Sequence, residues 1–339
     1  MRSPRRRSFV VTLLLTMLAS SIGSFSIGSA VTQEPIEPVR VAATVGMIGD
    51  VAAQVGGECA QVTSIMGSGV DPHVYQASAR DVSVFQSAEI IFYGGYSLEG
   101  QLGEVLEGFS RRKPTVAVAE VTVPRGELIT TDDAYGVDPH VWMDVSLWAG
   151  IVPAIARALG ELRPECGDQF AANADRYVAQ LGALHNWVGG AIATIPQGQR
   201  VLVTAHDAFS YYGRAYDIEV TGIQGISTES EAGVADIRQM ARIVAERKVP
   251  AVFVESTINP RTVQAVVEAA GRLGHEIEIA SQLYSDALGE QGTAGGTYIG
   301  MIYENTSNIV GDLGGEVPPL PDELAEWMQR WEPAAGEQR

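Results

Sequence analysis

Residues 164–195 constrain the fold of this chain more than any other stretch. Apolar residues recur there at helical spacing, at Phe170, Ala174, Tyr177, Leu181, Leu184 and Trp187, with neither glycine nor proline between Gly167 and Gly182. The pattern predicts one long helix of about 40 Å at 1.5 Å per residue, although Gly182 and Gly189-Gly190 leave its end open. This segment is unlike the stretches on either side of it and reads as a helix joining two lobes.

On both sides of this segment, strand and helix signals alternate. Short apolar runs at 39–45, 61–66, 89–93 and 115–118 precede it, and runs at 200–204, 218–222, 250–255 and 276–280 follow it. Helical patterns fill most of the gaps, so each side is predicted to build βαβ units around a largely parallel sheet. Capping boxes are expected at Ser78-x-x-Asp81 and Thr228-x-x-Glu231, and Asn259-Pro260 reads as a cap before a first-turn proline. The expected fold class is α/β, with two lobes carrying parallel-type sheets, joined by one long helix. The boundaries are 39–163 for the N-terminal lobe, 164–195 for the linking helix and 196–339 for the C-terminal lobe. Residues 320–331 are expected to close that lobe as a short amphipathic helix, with Leu320, Leu324, Trp327, Met328 and Trp331 on its apolar side.

The first 30 residues read as an export signal. Arg2, Arg5, Arg6 and Arg7 precede an apolar stretch from residue 9 to 18, and Gly28-Ser29-Ala30 supplies small residues for cleavage. The run from Arg6 to Val10 partly resembles a twin-arginine signal, and an uncleaved anchor is the competing reading. Residues 31–38 form a polar leader. No cysteine lies near the cleavage region, so a lipoprotein anchor is not expected, and the destination is periplasmic or extracytoplasmic. No later segment approaches 18 consecutive apolar residues, so a spanning helix is not expected in the mature chain. Without the first 30 residues the chain carries 19 basic against 41 acidic residues, a net charge of −22. That field repels phosphate backbones, so no nucleic-acid partner is expected. Cys59 and Cys166 are the two cysteines. In an oxidising compartment they are expected to pair, tying the long helix to the outer end of the N-terminal lobe, with two buried thiols as the competing reading.

Three of the five histidines stand in distinctive settings. Asp-Pro-His-Val occurs twice, at Asp71–Val74 and Asp138–Val141, presenting His73 and His140 alike on loops where proline fixes the preceding backbone. His206 ends the apolar run 201–205, at the carboxyl edge where open α/β sheets bind ligands. Asp286 follows the last strand candidate. Three imidazoles and a carboxylate from four separate loops suit a four- to five-coordinate metal ion. His185, on the long helix, and His275, in a polar turn, lack such settings and are not expected to bind metal. His-Glu-x-x-His, Gly-x-Ser-x-Gly and Gly-Lys-Ser/Thr signatures are absent, which argues against common zinc proteases, esterases and P-loop ATPases.

Five ordered motifs carry a family resemblance. They are Asp71-Pro72-His73-Val74-Tyr75, the run from Asp138 through His140 and Trp142 to Asp144, the run from Thr204 through His206 to Tyr216, the run from Val254 through Glu255 to Arg261, and the run from Leu283 through Asp286 to Gly289. Over residues 39–313 the chain resembles the metal-binding solute receptors of ABC importers, the TroA/ZnuA type. The resemblance implies that the long helix joining the lobes is rigid, and that a single divalent metal ion, zinc or manganese, is held as cargo between the lobes by His73, His140, His206 and Asp286. It implies delivery to the membrane permease of an ABC importer, a protein that acts as a monomer, and no chemical turnover. Zinc-dedicated members often carry a His-rich acidic loop before the second Asp-Pro-His, whereas residues 125–137 hold Asp132-Asp133 and no histidine. Manganese-dedicated members often replace the third histidine with glutamate, whereas His206 is retained, so zinc is only slightly favoured. Asp144 and Glu255 are candidates to accept a proton from a ligating imidazole. A salt bridge or helix cap is the competing reading for both, and a buried Glu255 needs a partner such as Arg261. The alternative function is a metal-dependent hydrolase using the same site, with Asp207 or Glu255 as its base.

Overall fold

In the computed structural model, residues 36–131 and 136–331 are described. The export signal, most of the leader, and Asp132-Asp133 lie outside the described residues.

The N-terminal lobe is built on four parallel strands, β1 (Val39–Ala43), β2 (Ala60–Ser64), β3 (Ile90–Tyr93) and β4 (Thr115–Ala117), in the order β2-β1-β3-β4. Helices link them and cover the sheet. The central strands therefore read as near-continuous apolar runs, with Val41, Ala42 and Ala43 of β1 and Ile90, Ile91 and Phe92 of β3 all buried. The C-terminal lobe repeats the scheme with β5 (Val201–His206), β6 (Glu219–Gln224), β7 (Ala251–Glu255) and β8 (Glu278–Leu283). β5 pairs with β6 and β7 with β8, each in parallel, and β5 lies beside β7. Parallel strands send all their carboxyl ends to one edge, and in both lobes the loops leaving that edge carry the candidate ligands.

Between the lobes runs the predicted helix, Gly167–Ile192, whose 26 residues span about 39 Å. Its buried face is the one expected from spacing, from Phe170 through Trp187. A Cβ at Gly182 or Gly190 would meet nothing within 4 Å, so these glycines lie on open surface and the helix runs through them. The helix grips the N-terminal lobe through Asn173 Nδ2, which donates to Val55 O at 3.0 Å, and Tyr177 Oη, which donates to Asp50 at 3.0 Å. On the other side Asp50 accepts from the backbone N–H of Tyr298, the first residue of the C-terminal-lobe helix Tyr298–Asp312 (3.1 Å). One half-buried carboxylate thus joins three elements. Cys59 and Cys166 form a disulfide across 107 residues, tying the start of the linking helix to the N-terminal lobe.

Ser78 and Asp81 form the expected capping box. Thr228 does not cap a helix. The next helix begins at Val234, where Gly233 N–H donates to Asp236, and the Thr228 hydroxyl turns toward the other lobe. Asn259 accepts from Arg261 N–H at the start of Arg261–Arg272. The span Val145–Leu162 has the length and hydropathy of a membrane-crossing segment, but Trp148, Ile151, Ile155 and Leu159 are buried in the core. The closing helix Ala325–Trp331 buries Trp327.

Candidate metal centre

Each candidate ligand sits where a strand or tight turn ends, and each is backed by a specific hydrogen bond. His206 is the last residue of β5. Its N–H donates to Glu255 Oε1 at 2.9 Å, and its Nδ1 lies 2.5 Å from Glu255 Oε2, so the last residue of β7 holds both the backbone and the ring. In the second Asp-Pro-His turn, Asp138 Oδ1 accepts from His140 N–H at 2.9 Å and lies 2.7 Å from His140 Nδ1. In the first, Asp71 Oδ1 accepts from His73 N–H at 2.9 Å. Asp286 follows β8, where Asn305 brackets Tyr284 by accepting from its N–H (2.8 Å) and donating to its carbonyl (2.7 Å). Ser285 O also accepts from Trp142 Nε1 of the other lobe at 2.9 Å.

These supports converge four donors on one point. His73, His140, His206 and Asp286 are all fully buried, and each offers an atom within 4.8 Å of the others. His73 Nε2 stands 3.2 Å from His140 Nε2. Asp286 Oδ1 is 3.3 Å from His140 Nε2, and Oδ2 is 3.1 Å from His206 Nε2 and 3.9 Å from His73 Nε2. Tetrahedral donors about 2.0–2.1 Å from one ion stand about 3.3–3.4 Å apart. Three of these four separations fall near that value.

The electrostatics favour a cation. Burial opposes charge on His140, but Asp138 and Asp286 outweigh it and push the pKa up to about 9. Burial is likewise outweighed at His206, where Glu255 and Asp286 drive the imidazole well above its ordinary value. His73 goes the other way. Burial, with the neighbouring His140 and His206, pulls it down to about 3 despite Asp286. Burial alone would raise Asp286, yet His206 and His140 hold it well below the usual carboxylate range. Three carboxylates around three imidazoles form a negative pocket, which a divalent ion neutralises better than protons do.

A sequence model of the ZnuA family, described as the periplasmic component A of the zinc-uptake complex, matches residues 41–311. The chain belongs to the ZnuA family. Among its relatives, the manganese-binding lipoprotein MntA of Bacillus subtilis is 40% identical over 305 residues, covering 90% of this chain and 98% of that protein. The solved structure of the periplasmic zinc-binding protein TroA from Treponema pallidum is 40% identical and superposes with a TM-score of 0.79, over 81% of this chain and 99% of TroA. Fe(III)-bound YtgA from Chlamydia trachomatis, 26% identical, superposes at 0.76 over 83% of this chain and all of YtgA. Within this ZnuA-family chain, the structure brings the four candidate residues His73, His140, His206 and Asp286 together at one buried point.

Two supporting expectations need correction. Asp144 does not serve a ligating imidazole. It caps the short helix Val145–Trp148, accepting from the N–H groups of Ser146 and Leu147, and its nearest histidine is His185, at 4.0 Å. The residue that serves His140 is Asp138, for which the signal was an aspartate two positions before the histidine, able to accept from its backbone N–H. Glu255 lies against His206, accepting from its backbone N–H and approaching its ring Nδ1, and not against Arg261. Gly100 was also missed. Its φ is +41°, and a Cβ there would collide with the carbonyl oxygen of His73, so only glycine lets this loop pass behind the ligand. His185 and His275 lie apart from the centre, bonded to Tyr216 Oη and to Val249 O.

Proposed function

We propose that this protein is an exported, extracytoplasmic receptor that captures one divalent transition-metal ion in the cleft and hands it to the permease of an ABC importer. The observation that carries the reading is the buried cluster of His73, His140, His206 and Asp286, two ligands from each lobe, with separations suited to one ion. Ligands drawn from both lobes make binding and cleft closure one event. That is how a carrier presents a loaded state to its partner without altering the cargo. The family membership and the relatives named for manganese, zinc and iron support the same reading. The chain acts as a monomer with no nucleic-acid partner.

The cargo is zinc slightly ahead of manganese. Imidazole nitrogens suit zinc, and affinity at such sites rises from manganese toward copper with zinc well above manganese. Both oxygens of Asp286 face the cluster, so a bidentate mode is within reach and would admit manganese at higher coordination. A hydrolase reading of the same residues finds no support. It needs an open coordination position and a poised base. In the proposed site Asp286 would take the fourth position, both Glu255 oxygens lie against His206, and Asp207 accepts from Ser210 at 2.7 Å.

Thermal unfolding with and without metal tests the proposal. Zinc or manganese should raise the Tm of the wild-type chain, since an ion that binds only the folded state stabilises it by mass action. The same addition should leave the His73→Ala/His206→Ala variant unmoved. An equal rise in that variant would show the site assignment to be wrong.

A further inference from the structure

The two Asp-Pro-His turns look alike in sequence, yet their aspartates do different work. Asp138 spends Oδ1 on both the backbone N–H and the ring Nδ1 of its own histidine. Asp71 gives Oδ1 to the backbone N–H of His73 and extends Oδ2 across the cleft, where it accepts from the hydroxyl of Thr228 at 2.6 Å. Thr228 belongs to the C-terminal lobe, in the connection between β6 and the helix Val234–Arg247. That connection is itself anchored. Gln224, the last residue of β6, pairs in register with His206 on β5 and donates its side-chain amide to Ser230 O at 3.0 Å. A continuous path therefore runs from the strand that carries His206, through Gln224 and the segment holding Thr228, to Asp71 and the backbone of His73.

We propose that Thr228 is a positioning residue for His73, acting through Asp71, and that its hydroxyl slows the escape of bound metal by latching the lobes at the cleft mouth. The inference rests on the metal-receptor reading above. Asp71 holds the His73 turn whether the cleft is open or closed, because that bond lies within one loop. The Thr228 bond exists only when the lobes meet, so it stabilises the closed, loaded state alone and acts on the dissociation rate. A hydroxyl donating to a carboxylate is among the stronger hydrogen bonds. Removing it is expected to speed release about tenfold.

The test is chelator-driven release of zinc from the full-length protein, followed in a stopped-flow instrument, with thermal unfolding of the metal-free form alongside. Thr228→Val should release zinc about tenfold faster than wild type, while Thr228→Ser, which restores the hydroxyl, should stay close to wild type. In an Asp71→Ala background, Thr228→Val should add nothing further, because its partner is gone. The Tm of metal-free Thr228→Val should match that of wild type. Wild-type release from Thr228→Val, or equally fast release from Thr228→Ser, would overturn the latch. So would a lowered metal-free Tm with unchanged release, since that pattern marks a purely structural role. Failure of the wild-type chain to bind zinc or manganese at all would instead sink the receptor reading on which the latch depends.

Discussion

Glu255 Oε2 lies 2.5 Å from Nδ1 of His206, and on the far side of the same ring Nε2 lies 3.1 Å from Asp286 Oδ2. One carboxylate grips the ring from behind and so turns its other nitrogen toward the metal position. Such partners usually contribute 10–100-fold to metal affinity by fixing tautomer and orientation. Glu255→Gln keeps the shape but offers an amide where a full charge stood. Zinc affinity measured by chelator competition is expected to fall by about one to two orders of magnitude. Unchanged affinity would mean that β5 alone orients the ring.

Gly100 makes a second expectation through sterics. With φ at +41° and the His73 carbonyl directly in the path of a Cβ, Gly100→Ala must push the first Asp-Pro-His turn away from the cluster. A shift of a few tenths of an ångström at a metal ligand is enough to weaken binding, and at least a tenfold loss of zinc affinity is expected, about 1.4 kcal/mol. A Cβ at Gly103, in the helix that follows, would meet nothing within 4 Å, so Gly103→Ala is the matched control. Equal zinc affinities in the two variants would remove Gly100 from the account.

The Cys59–Cys166 link closes a loop of about a hundred residues, and loss of such a crosslink typically costs about 2–5 kcal/mol. Reduction should therefore lower the Tm of the metal-free protein. The disulfide lies at the start of the linking helix and contributes no ligand, so zinc stoichiometry should persist. Calorimetry with and without reductant checks both. An unchanged Tm would mean that the unfolded chain gains little freedom when the link is cut.

Asp50 offers a pH-dependent test away from the metal ligands. Burial raises its pKa, more than its bonds from Tyr298 N–H and the Tyr177 hydroxyl lower it. A group raised above its unfolded value adds stability below the unfolded pKa, near 3.8, and loses it as pH climbs through the folded value. At neutral pH the half-buried charge is therefore a cost. Asp50→Asn keeps an oxygen to accept both bonds without that charge, so it should raise the Tm at pH 7, and the gain should shrink as pH falls toward 4. A lower Tm at pH 7 would show that the carboxylate's bonds outweigh its desolvation.

Much of this architecture is visible in the residues themselves, because it rests on local periodicity. The strand signals, the helical spacing from Phe170 to Trp187 and the duplicated Asp-Pro-His all report on short stretches of chain. What periodicity cannot convey is which of several nearby polar groups a side chain chooses. Asp144 precedes Val145-Ser146 and has the local chemistry of a helix cap, and that local option took it away from the imidazoles. Thr228 had a local option as well, a capping box with Glu231, but a partner in the other lobe took its hydroxyl. The left-handed turn at Gly100 is equally hidden, since its purpose lies in the backbone of residue 73. Pairing of Cys59 with Cys166 depended on how the linking helix docks, which their separation of 107 residues does not reveal.

The central claim is one metal ion per chain, held by three histidines and an aspartate, with zinc bound more tightly than manganese. Competitive titration of both ions against a chelator of known affinity, at neutral pH, tests it most directly. The expected result is one equivalent per chain for either ion, a higher affinity for zinc, and strong weakening in His73→Ala, His140→Ala and His206→Ala. A stoichiometry other than one, or manganese affinity equal to or above that of zinc, would contradict it.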